Sequence, residues 1–549
     1  MTELTAVNRI VLQEEAKIMK RIKILFVFVA LSIFLTSCAP ATEPKSTQTE
    51  GKKKELTVEE SSETENTVKE KNNVKDSLTI ALPDAPSYMD PMVQASIGTY
   101  RVTTQMFDRL VQLDNDMNLV PSLAESWDVL DDKTIVFHLR KDVNFHNGEP
   151  LKSDDVKYSL ERCIKSDGVN YNYLIIDKIE IPDDYTVKIT TKKPFNALLY
   201  RLTLDAASIV SKKAAESGED FNKHPVGAGP YRFVSWEVGG DIVLEAFEDY
   251  YKGAPKTKKL IFKHIPEAIN RTIGLETDTV DIAYDLSVTD IDTVKANDNL
   301  KMMDVLSNTV WYVGFNCTKK PFDDVKVRQA IAYAINVDDV INIAFGGIAS
   351  PANGSMIPPK VDYHMDKPVD YKQNIEQAKE LLSEAGFPDG FQTTLWCSDS
   401  QIMRDISVVI QDLLRKIGVD VKIKSMEQGA YYSATGKGEH EMFIMSKTSI
   451  DPDSMLRAMY HTEAFGLSGN RSFWAMPELD ELIDKAATSI DTEEVAKLYK
   501  EIQIKAAENV PLIPLCVEHL NAGMKKEVEG FGLYPGKSHY IYDAFSSKP

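Results

Sequence analysis

The chain has 549 residues, of which 43% are hydrophobic and 27% are charged, and its formal net charge is −20 at pH 7. This length and composition suit a globular protein of two or three domains with sizeable cores. The acidic balance argues against nucleic acid as a partner and against broad electrostatic binding to membranes.

The first recognisable element is a short apolar run at 24–35, which follows basic residues at 20–23. A basic flank, about a dozen apolar residues and a cleavage site of small residues indicate a secretory signal. The run is too short for a membrane span, which needs about 20 residues. The sequence therefore predicts export of the protein.

The run ends in Leu-Thr-Ser-Cys at 35–38, which resembles the bacterial lipobox. In that pattern the signal is cut before the cysteine, and the cysteine thiol then carries lipid. We therefore expect a signal peptide over 1–37, with Met19 as a candidate start, and a lipid on Cys38. The expected location is outside the cytoplasm, anchored to the cell membrane, as on a Gram-positive cell surface.

The segment after the anchor contains no signal for a fold. Residues 39–75 include no aromatic side chain, few aliphatic ones and many Glu, Lys, Ser and Thr. Such a segment cannot bury enough apolar surface to offset its conformational entropy. We expect 38–75 to be a lipidated cysteine followed by a disordered tether.

Four cysteines remain beyond the anchor, and none of them lies in a Cys-x-x-Cys or zinc-like pattern. We predict buried free thiols, with a disulfide left open, and no metal or cofactor. The sequence contains no second long apolar run, so we predict no membrane span there either. The four are Cys163, Cys317, Cys397 and Cys516.

Alternating apolar residues predict strands in the first part of the chain, and a strongly apolar segment predicts another just past the middle. A further strand is predicted after Gly418. Together with the helices described next, these strands indicate an α/β architecture. The predicted strands are 77–82, 134–140, 185–190, 231–236, 242–247, 310–315 and 419–423.

Apolar residues at helical spacing predict several helices. Ser153 and Asp323 are expected to cap two of them. Glycines follow two others and predict their ends at Gly386 and Gly418. One predicted helix begins at 154, another begins after 324, and a third ends at 385. Three further predicted helices cover 402–417, 478–487 and 493–507.

A series of motifs, in order and at consistent spacing, resembles family 5 of the bacterial extracellular solute-binding proteins. These are the large solute-binding proteins of ABC importers, of the oligopeptide-, dipeptide- and nickel-binding type. The resemblance covers about 77–545. The motifs are YMDP at 88–91, FDRL at 107–110, PSLAESW at 121–127, FHLR at 137–140, VNFHNGEP at 143–150, SDDV at 153–156, GAGPY at 227–231, PFDDVKVRQAI at 321–331, EAGFP at 384–388, PELDEL at 477–482 and PLIP at 511–514.

Most of these motifs have structural reasons, because Pro and Gly fix turns and polar residues cap helices. The apolar members Leu123, Trp127, Phe137 and Phe145 are expected in a core. His146 and Arg140 are expected in local hydrogen bonds. The motifs therefore identify the family better than the ligand.

The resemblance implies a two-lobed clamp of the periplasmic-binding-protein type, class II, with an extra subdomain in lobe I. The chain would leave lobe I near VGFN at 313–316 and return near Pro511. Closure of the lobes would bury a ligand. The expected boundaries are 76–118 for lobe I, 119–225 for the extra subdomain, 226–315 for lobe I continued, 316–507 for lobe II and 508–549 for the return to lobe I.

The resemblance also implies a function without chemistry, in which a monomer captures a small peptide and delivers it to the permease subunits of an ABC importer. The peptide would be an oligopeptide, a dipeptide or a glutathione-like compound. One alternative is a nickel- or metal-chelate-binding protein of the same family. Another is a surface receptor that senses peptides without transport. No nucleophile triad, phosphate loop or HExxH motif favours an enzyme.

The stretch around Asp451 bears on the ligand. In the peptide-binding branches an Asp that binds the ligand amine precedes an Asp-Pro-like pair by three residues, and that position is Thr448 here. The tryptophan expected three residues earlier is Met445. TSIDPD at 448–453 and GNRSF at 469–473 resemble the glutathione-type branch instead. A structural role for Asp451 as a helix cap stays open.

The resemblance places a set of residues at positions that face the cleft between the lobes. Tyr and Trp would provide flat apolar walls with a polar edge. Tyr88 and Tyr312 could instead pack at the hinge. The predicted ligand-binding residues are Tyr88, Gln94, Ser96, Tyr312, Trp396, Met445, Thr448 and Asp451.

Overall fold

The computed structural model describes residues 74–93, 96–166, 169–218, 220–237, 239–466, 469–536 and 539–547. The predicted signal peptide, the predicted lipid site at Cys38 and nearly all of the predicted tether lie outside these residues. The described residues fall within one unit, Lys71–Pro549.

Each of the seven predicted strands overlaps a strand of the structure, which also contains strands that were not predicted. The strands of the described residues are β1 Ser77–Leu82, β2 Val111–Leu113, β3 Leu119–Pro121, β4 Ala124–Val129, β5 Thr134–Leu139, β6 Ile176–Asp183, β7 Thr186–Thr191, β8 Tyr231–Trp236, β9 Ile242–Ala246, β10 Lys259–His264, β11 Ile282–Tyr284, β12 Leu300–Phe315, β13 Ala349–Pro351, β14 Gln392–Ser398, β15 Asp420–Met426, β16 Met442–Thr448, β17 Leu512–Lys525, β18 Val528–Glu529 and β19 Phe545–Ser546.

Helices alternate with these strands, and short 3-10 turns occur at Asn170–Asn172, Asp205–Ala207 and Thr462–Ala464. The α-helices of the described residues are α1 Ile97–Thr103, α2 Ser153–Lys165, α3 Leu198–Arg201, α4 Lys212–Ala215, α5 Ala268–Glu276, α6 Val288–Ala296, α7 Val325–Ala334, α8 Val337–Ala344, α9 Ile375–Glu384, α10 Gln401–Arg415, α11 Gln428–Gly436, α12 Pro452–Tyr460, α13 Pro477–Thr488 and α14 Thr492–Asn509.

A large mixed sheet dominates the fold. It has eleven strands within the described residues, in the order β15-β14-β16-β12-β17-β11-β1-β10-β9-β8, with β13 paired to β17. β1 runs parallel to β10 and β11, whereas β12 is antiparallel to both β16 and β17. This mixed α/β architecture confirms the predicted fold class. A separate antiparallel sheet, β4-β5-β7-β6, lies within the predicted extra subdomain.

Two large hydrophobic cores form on this framework. The first core gathers residues between 78 and 262 with others at 282–284 and 522–544. The second core gathers residues between 310 and 517. A smaller cluster around Leu275 and Val294 flanks the first core. We call the parts of the chain that pack on these cores the first half and the second half.

Two long strands run from one core to the other. In β12, Met303 and Val305 pack against the first core, whereas Val310 and Val313 belong to the second. β17 runs the opposite way and is paired with β12 along most of its length. The two halves are therefore joined by a pair of hydrogen-bonded strands as well as by side-chain contacts.

The passage of β12 between the cores is polar and irregular. The pairing with β17 shifts between Leu306 and Val310, as at a β-bulge. Asn308, in the shifted segment, is fully buried, and its backbone N–H donates to the Pro535 carbonyl at 3.1 Å. Its carbonyl accepts from the Ser449 N–H at 3.1 Å. Asn308 thus contacts both halves just before the chain enters the second core.

The ends of the helices are partly as predicted. Gly386 and Gly418 have φ of 88° and 81°, the left-handed backbone that a stop after a helix favours. The predicted cap Ser153 is wrong, because Lys152 precedes the helix and the Ser153 hydroxyl donates to the Asp183 carbonyl. The predicted cap Asp323 is also wrong. The neighbouring Asp324 takes that role by accepting from the Lys326 N–H.

The family-like motifs of the first half have structural roles. The Arg140 guanidinium donates to both oxygens of Asp142, at 3.0 and 2.7 Å, and His146 bonds to the Gly229 carbonyl at 3.0 Å. The Gly229 N–H donates to the Met106 carbonyl at 2.9 Å, and a Cβ on Gly229 would lie 2.5 Å from the Met106 carbonyl carbon. Local hydrogen bonds thus confirm the prediction for Arg140 and His146.

The predicted apolar core members are also buried. Leu123, Phe137 and Phe145 are at most 1% exposed, and Trp127 packs partly buried against the first core. The four cysteines of the described residues are free, and only Cys317 is not fully buried. Across the described ranges, no helix is long and apolar enough to cross a membrane.

Candidate functional site

The pairing of β12 with β16 brings three predicted site residues together. Tyr312 lies directly opposite Met445, and Thr309 lies opposite Thr448. The Thr309 and Thr448 hydroxyls share a hydrogen bond of 2.7 Å. Tyr312 and Met445 are buried, whereas Thr448 is exposed. Burial raises the pKa of Tyr312, so its hydroxyl stays neutral at pH 7.

Trp396 lies on the neighbouring strand β14, next to Phe443. Its side chain is 5% exposed, its indole N–H donates to the Thr394 hydroxyl at 3.0 Å, and the Lys424 ammonium lies 3.6 Å from the ring centroid. The ring is therefore held by a hydrogen bond and a cation–π contact. Trp396 forms a wall of the second core, with its polar edge already occupied.

Asp451 begins α12 and is almost fully buried. Its carboxylate accepts from the Ser454 N–H and from the Ser454 hydroxyl, both at 2.8 Å. It therefore caps the helix, the structural role that the sequence left open. Asp453, two residues later, is 2% exposed and pairs with Arg457 at 3.2 Å. Burial raises the pKa of Asp453, against the lowering effect of Arg457.

A short segment of the first half, 195–201, contacts this region of the second half. The Asn196 amide donates to the Ala486 carbonyl at 2.8 Å, and the Tyr200 hydroxyl donates to Asp362 at 2.7 Å. The Arg201 guanidinium lies 3.8 Å from Asp451 and 3.7 Å from Asp453. We call 195–201 the docking segment.

The docking segment borders a crevice of about 230 Å³ between the two halves. Asn196, Ala197 and Tyr200 line one side, and Tyr363, Asp451 and Tyr499 are among the residues on the other. A larger cavity of about 610 Å³ is lined only by residues between 332 and 514 and includes none of the predicted site residues. We therefore place the candidate site at the interface of the halves.

Three cationic residues at this interface were not predicted from the sequence: Lys447, Arg471 and Arg201 of the docking segment. Lys447 lies opposite Val310 and therefore on the same face of β16 as Met445, because side chains alternate along a strand. Arg471 is 7% exposed and lies within the segment GNRSF. That segment was noted as a family-like motif, whereas Lys447 and Arg201 carried no signal in the sequence.

The remaining predicted residues lie in the first half. Tyr88 is 41% exposed. Ser96 caps α1, with its hydroxyl accepting from the Thr99 N–H at 3.2 Å and donating to the Ala85 carbonyl at 3.0 Å. Gln94 lies outside the described residues. The structure thus groups Tyr312, Met445, Thr448 and Asp451 closely, with Trp396 on the next strand.

His440 packs beside this group, against Trp396 and Phe443. It is fully buried, and one ring nitrogen bonds to the Arg471 carbonyl at 2.9 Å. Burial lowers the pKa of His440 from 6.5 to about 3, and the positive charges of Lys319 and Arg471 add to the lowering. The folded protein therefore excludes a proton that the unfolded chain binds below pH 6.5.

We expect this histidine to make the protein less stable in acid. As the pH falls through 6.5 toward 3, the unfolded state gains the proton first, so the free energy of unfolding falls, by about 2 kcal/mol at pH 5. Urea unfolding at pH 7 and pH 5 checks this in His440→Gln, whose loss between the two pH values should be about 2 kcal/mol smaller than in the wild type. His264→Gln, at an exposed histidine, is the control. Equal losses in all three proteins would contradict the expectation.

The site offers several kinds of binding group. Hydroxyls, carboxylates, cations and aromatic walls meet where the two halves touch, which suits a polar ligand held by many hydrogen bonds. Among the described residues, no group of three or more His, Cys, Asp or Glu side chains is arranged to hold a metal ion.

Comparison with known proteins gives a consistent result. Residues 118–466 match the family model described as bacterial extracellular solute-binding proteins, family 5, middle region. The chain is 33% identical over 480 residues to a glutathione-binding protein of Pectobacterium atrosepticum, with 85% of this chain and 93% of that protein covered. It is 30% identical over 493 residues to a dipeptide-binding protein of Escherichia coli, with 83% and 92% covered.

A solved structure agrees with these relatives. The fold superimposes on a periplasmic binding protein associated with an ABC transporter of Helicobacter pylori, in complex with the peptide STSA. The TM-score is 0.74 at 28% sequence identity, and the alignment covers 88% of this chain and 100% of that one. Similarity therefore extends over nearly all of the described residues.

Proposed function

The chain belongs to family 5 of the bacterial extracellular solute-binding proteins of ABC importers, and we propose that it captures small peptides and delivers them to a membrane permease. The ligands in view are oligopeptides, dipeptides or glutathione-like compounds. The relatives are a glutathione-binding protein and a dipeptide-binding protein, and their ligands support this choice of ligand classes. The family's extracellular character supports a location outside the cytoplasm.

The observation that carries the proposal is the position of the site beside the interface of the two halves. Polar and aromatic side chains on β12 and β16 lie beside an interface between two separately packed halves, which β12 and β17 connect. A ligand held at such an interface would be enclosed when the halves come together. The docking segment supplies contacts that favour the closed arrangement.

In this account the two halves are the lobes of a clamp. Lobe I comprises 76–118, 226–315 and 508–549, the extra subdomain comprises 119–225, and lobe II comprises 316–507. The second core begins at Val310, so the bend itself would lie upstream of VGFN, at the polar and irregular stretch around Asn308. Hinges of this kind absorb backbone change in a few residues.

The ligand would contact residues of both lobes. Tyr312, Met445 and Trp396 would provide apolar walls, and Thr448 and Asp451 would provide hydrogen-bonding groups beside the hinge. Tyr88, Gln94 and Ser96 would face them from lobe I. Because Ser96 and Asp451 also cap helices, substitution of either would change stability as well as binding.

We further propose that the protein is a monomeric lipoprotein without enzymatic activity. A lipid on Cys38 would hold it at the cell membrane, and the tether 38–75 would let the clamp reach its permease. A monomeric protein that only captures a solute and delivers it to a permease needs no catalytic group. The relatives are named as binding proteins, which supports the absence of enzymatic activity.

Uptake in the native host tests the transport function. Cells with and without the gene are given a labelled mixture of di- and tripeptides, and accumulated label is measured. The proposal predicts that deletion lowers uptake and that the cloned gene restores it, whereas Cys38→Ala restores it only partly. Unchanged uptake, together with peptide binding by the purified protein, would assign a sensing role instead.

A further inference from the structure

The interface between the halves carries positive charge that its own carboxylates do not neutralise. Lys447 and Arg471 both lie next to the Tyr312–Met445 pair, on elements of the second half. Neither forms an ion pair with a carboxylate within the described residues. Arg471 is 7% exposed, and an unpaired charge in so buried a position is costly, so its presence at a binding interface calls for a partner.

Lys447 is the clearer of the two. Lys447 is half-buried, and its ammonium forms no hydrogen bond to any described residue. Burial lowers the pKa of Lys447, the charges of Arg201 and Arg471 lower it further, and Asp451 opposes the change. Arg201, Arg471 and Asp451 are therefore the charged groups that act on this ammonium.

The Arg471 guanidinium is held in place by hydrogen bonds that use only some of its N–H donors. One terminal nitrogen donates to the Tyr432 carbonyl at 3.3 Å and to the Thr435 hydroxyl at 3.2 Å. Its Nε is buried and forms no hydrogen bond to any described residue. These bonds fix the guanidinium plane and leave donors for another acceptor, the geometry that suits a carboxylate.

The nearby carboxylates are committed elsewhere. Asp451 accepts two hydrogen bonds from Ser454 at the start of α12. Asp453 pairs with Arg457 at 3.2 Å, and Arg201 lies within 4 Å of both acids. Within the described part of the chain, neither Lys447 nor Arg471 therefore has a carboxylate within ion-pair distance.

We propose that the captured solute is acidic and that Lys447 and Arg471 bind a carboxylate of its side chain. This inference rests on the proposed function and names the substrate class of the same site. Peptides that carry Glu or Asp would therefore bind more tightly than neutral peptides of the same length. Enclosure of the acid beside these cations strengthens each charge-assisted hydrogen bond.

Matched peptides test the inference by isothermal titration calorimetry on the full-length protein, purified in detergent and freed of bound ligand. The pairs are Ala-Glu against Ala-Gln and Ala-Glu-Ala against Ala-Gln-Ala, which differ only in one charge. We expect the acidic member of at least one pair to bind about tenfold more tightly, or better, as charge-assisted hydrogen bonds imply.

Variants assign that preference to the two cations. Lys447→Met should bring the paired affinities to within about threefold of each other, because the charge is lost while the length of the side chain is kept. Arg471→Lys keeps the charge but not the planar donors, so it should reduce the preference less. Lys422→Met, at an exposed lysine of β15, is the control and should leave the preference unchanged.

Each outcome is decisive. Equal wild-type affinities within every pair would overturn the inference and leave peptide capture standing. Failure of the wild type to bind any of the four peptides would overturn both the inference and the proposed capture of peptides. A preference that persists in Lys447→Met and in Arg471→Lys would overturn the assignment to these residues. Thermal unfolding of each variant separates failure to fold from loss of binding, and Lys447→Met should unfold at no lower temperature than the wild type.

Discussion

Replacement of Arg457 by methionine is expected to lower the free energy of unfolding by about 3–5 kcal/mol at pH 7. Arg457 pairs with Asp453 at 3.2 Å, with Glu463 at 2.7 Å and with Asp484 at 2.9 Å. Asp453 is 2% exposed, so the substitution leaves a buried carboxylate without its hydrogen-bonded cation. Loss of one partner of a buried pair costs more than the pair contributes.

Urea unfolding of the variant measures this loss, and the double variant Asp453→Asn with Arg457→Met is the matched control. Removal of both charges should restore most of the stability, because no unpaired ion remains. Asp453 takes up a proton in the folded state more readily than in the unfolded state, since its pKa is raised. The loss in Arg457→Met should therefore shrink as the pH falls toward 4. Equal stabilities of the single variant and the wild type would contradict the expectation.

Replacement of Arg201 by methionine is expected to weaken binding of every peptide ligand by about 10- to 100-fold. Arg201 belongs to the first half and lies within 4 Å of Asp451 and Asp453 of the second. If the halves separate without ligand, the carboxylates of Asp451 and Asp453 become hydrated in the open arrangement and are dehydrated again on closure. Without Arg201, closure would bury Asp451 and Asp453 with one nearby positive charge fewer, so a smaller fraction of the protein would be closed and the apparent affinity would fall.

Calorimetry with the acidic and neutral peptide pairs measures this effect. Tyr200→Phe is the matched control in the same segment, because its bond to the exposed Asp362 lies at the rim and should contribute less than about 1 kcal/mol. Arg201→Met should weaken both members of a pair alike, whereas Lys447→Met should act on the acidic member. Unchanged affinities in Arg201→Met would show that the docking segment does not stabilise closure.

Local patterns in the sequence predicted part of the fold. The alternation at 77–82 and 134–140 and the helix stops at Gly386 and Gly418 reflect rules that act over a few residues. The cap at Asp323 was missed by one residue, because the adjacent Asp324 can satisfy the first turn equally well. At the other helix the N-cap residue provides no side-chain cap, and the Ser153 hydroxyl donates to the distant Asp183 carbonyl instead.

The site was harder to predict, because it is assembled by contacts between distant parts of the chain. The register that sets Tyr312 opposite Met445 is fixed only when β12 and β16 pair. Arg201 meets Asp451 across the interface of the halves, and nothing in its local sequence distinguishes it from a surface arginine. Lys447 looks like an ordinary strand residue, and only its position at the interface, without an ion pair to a carboxylate, makes it notable.

Native mass spectrometry of the full-length protein, purified from its own host with its carried-over ligand, tests the central claim most directly. The ligand is released by collision and fragmented, and its composition is read from the fragments. This account predicts a bound peptide, with backbone fragments of two or more residues and an acidic side chain among them. A bound sugar or a nickel complex, with no peptide in any preparation, would contradict it.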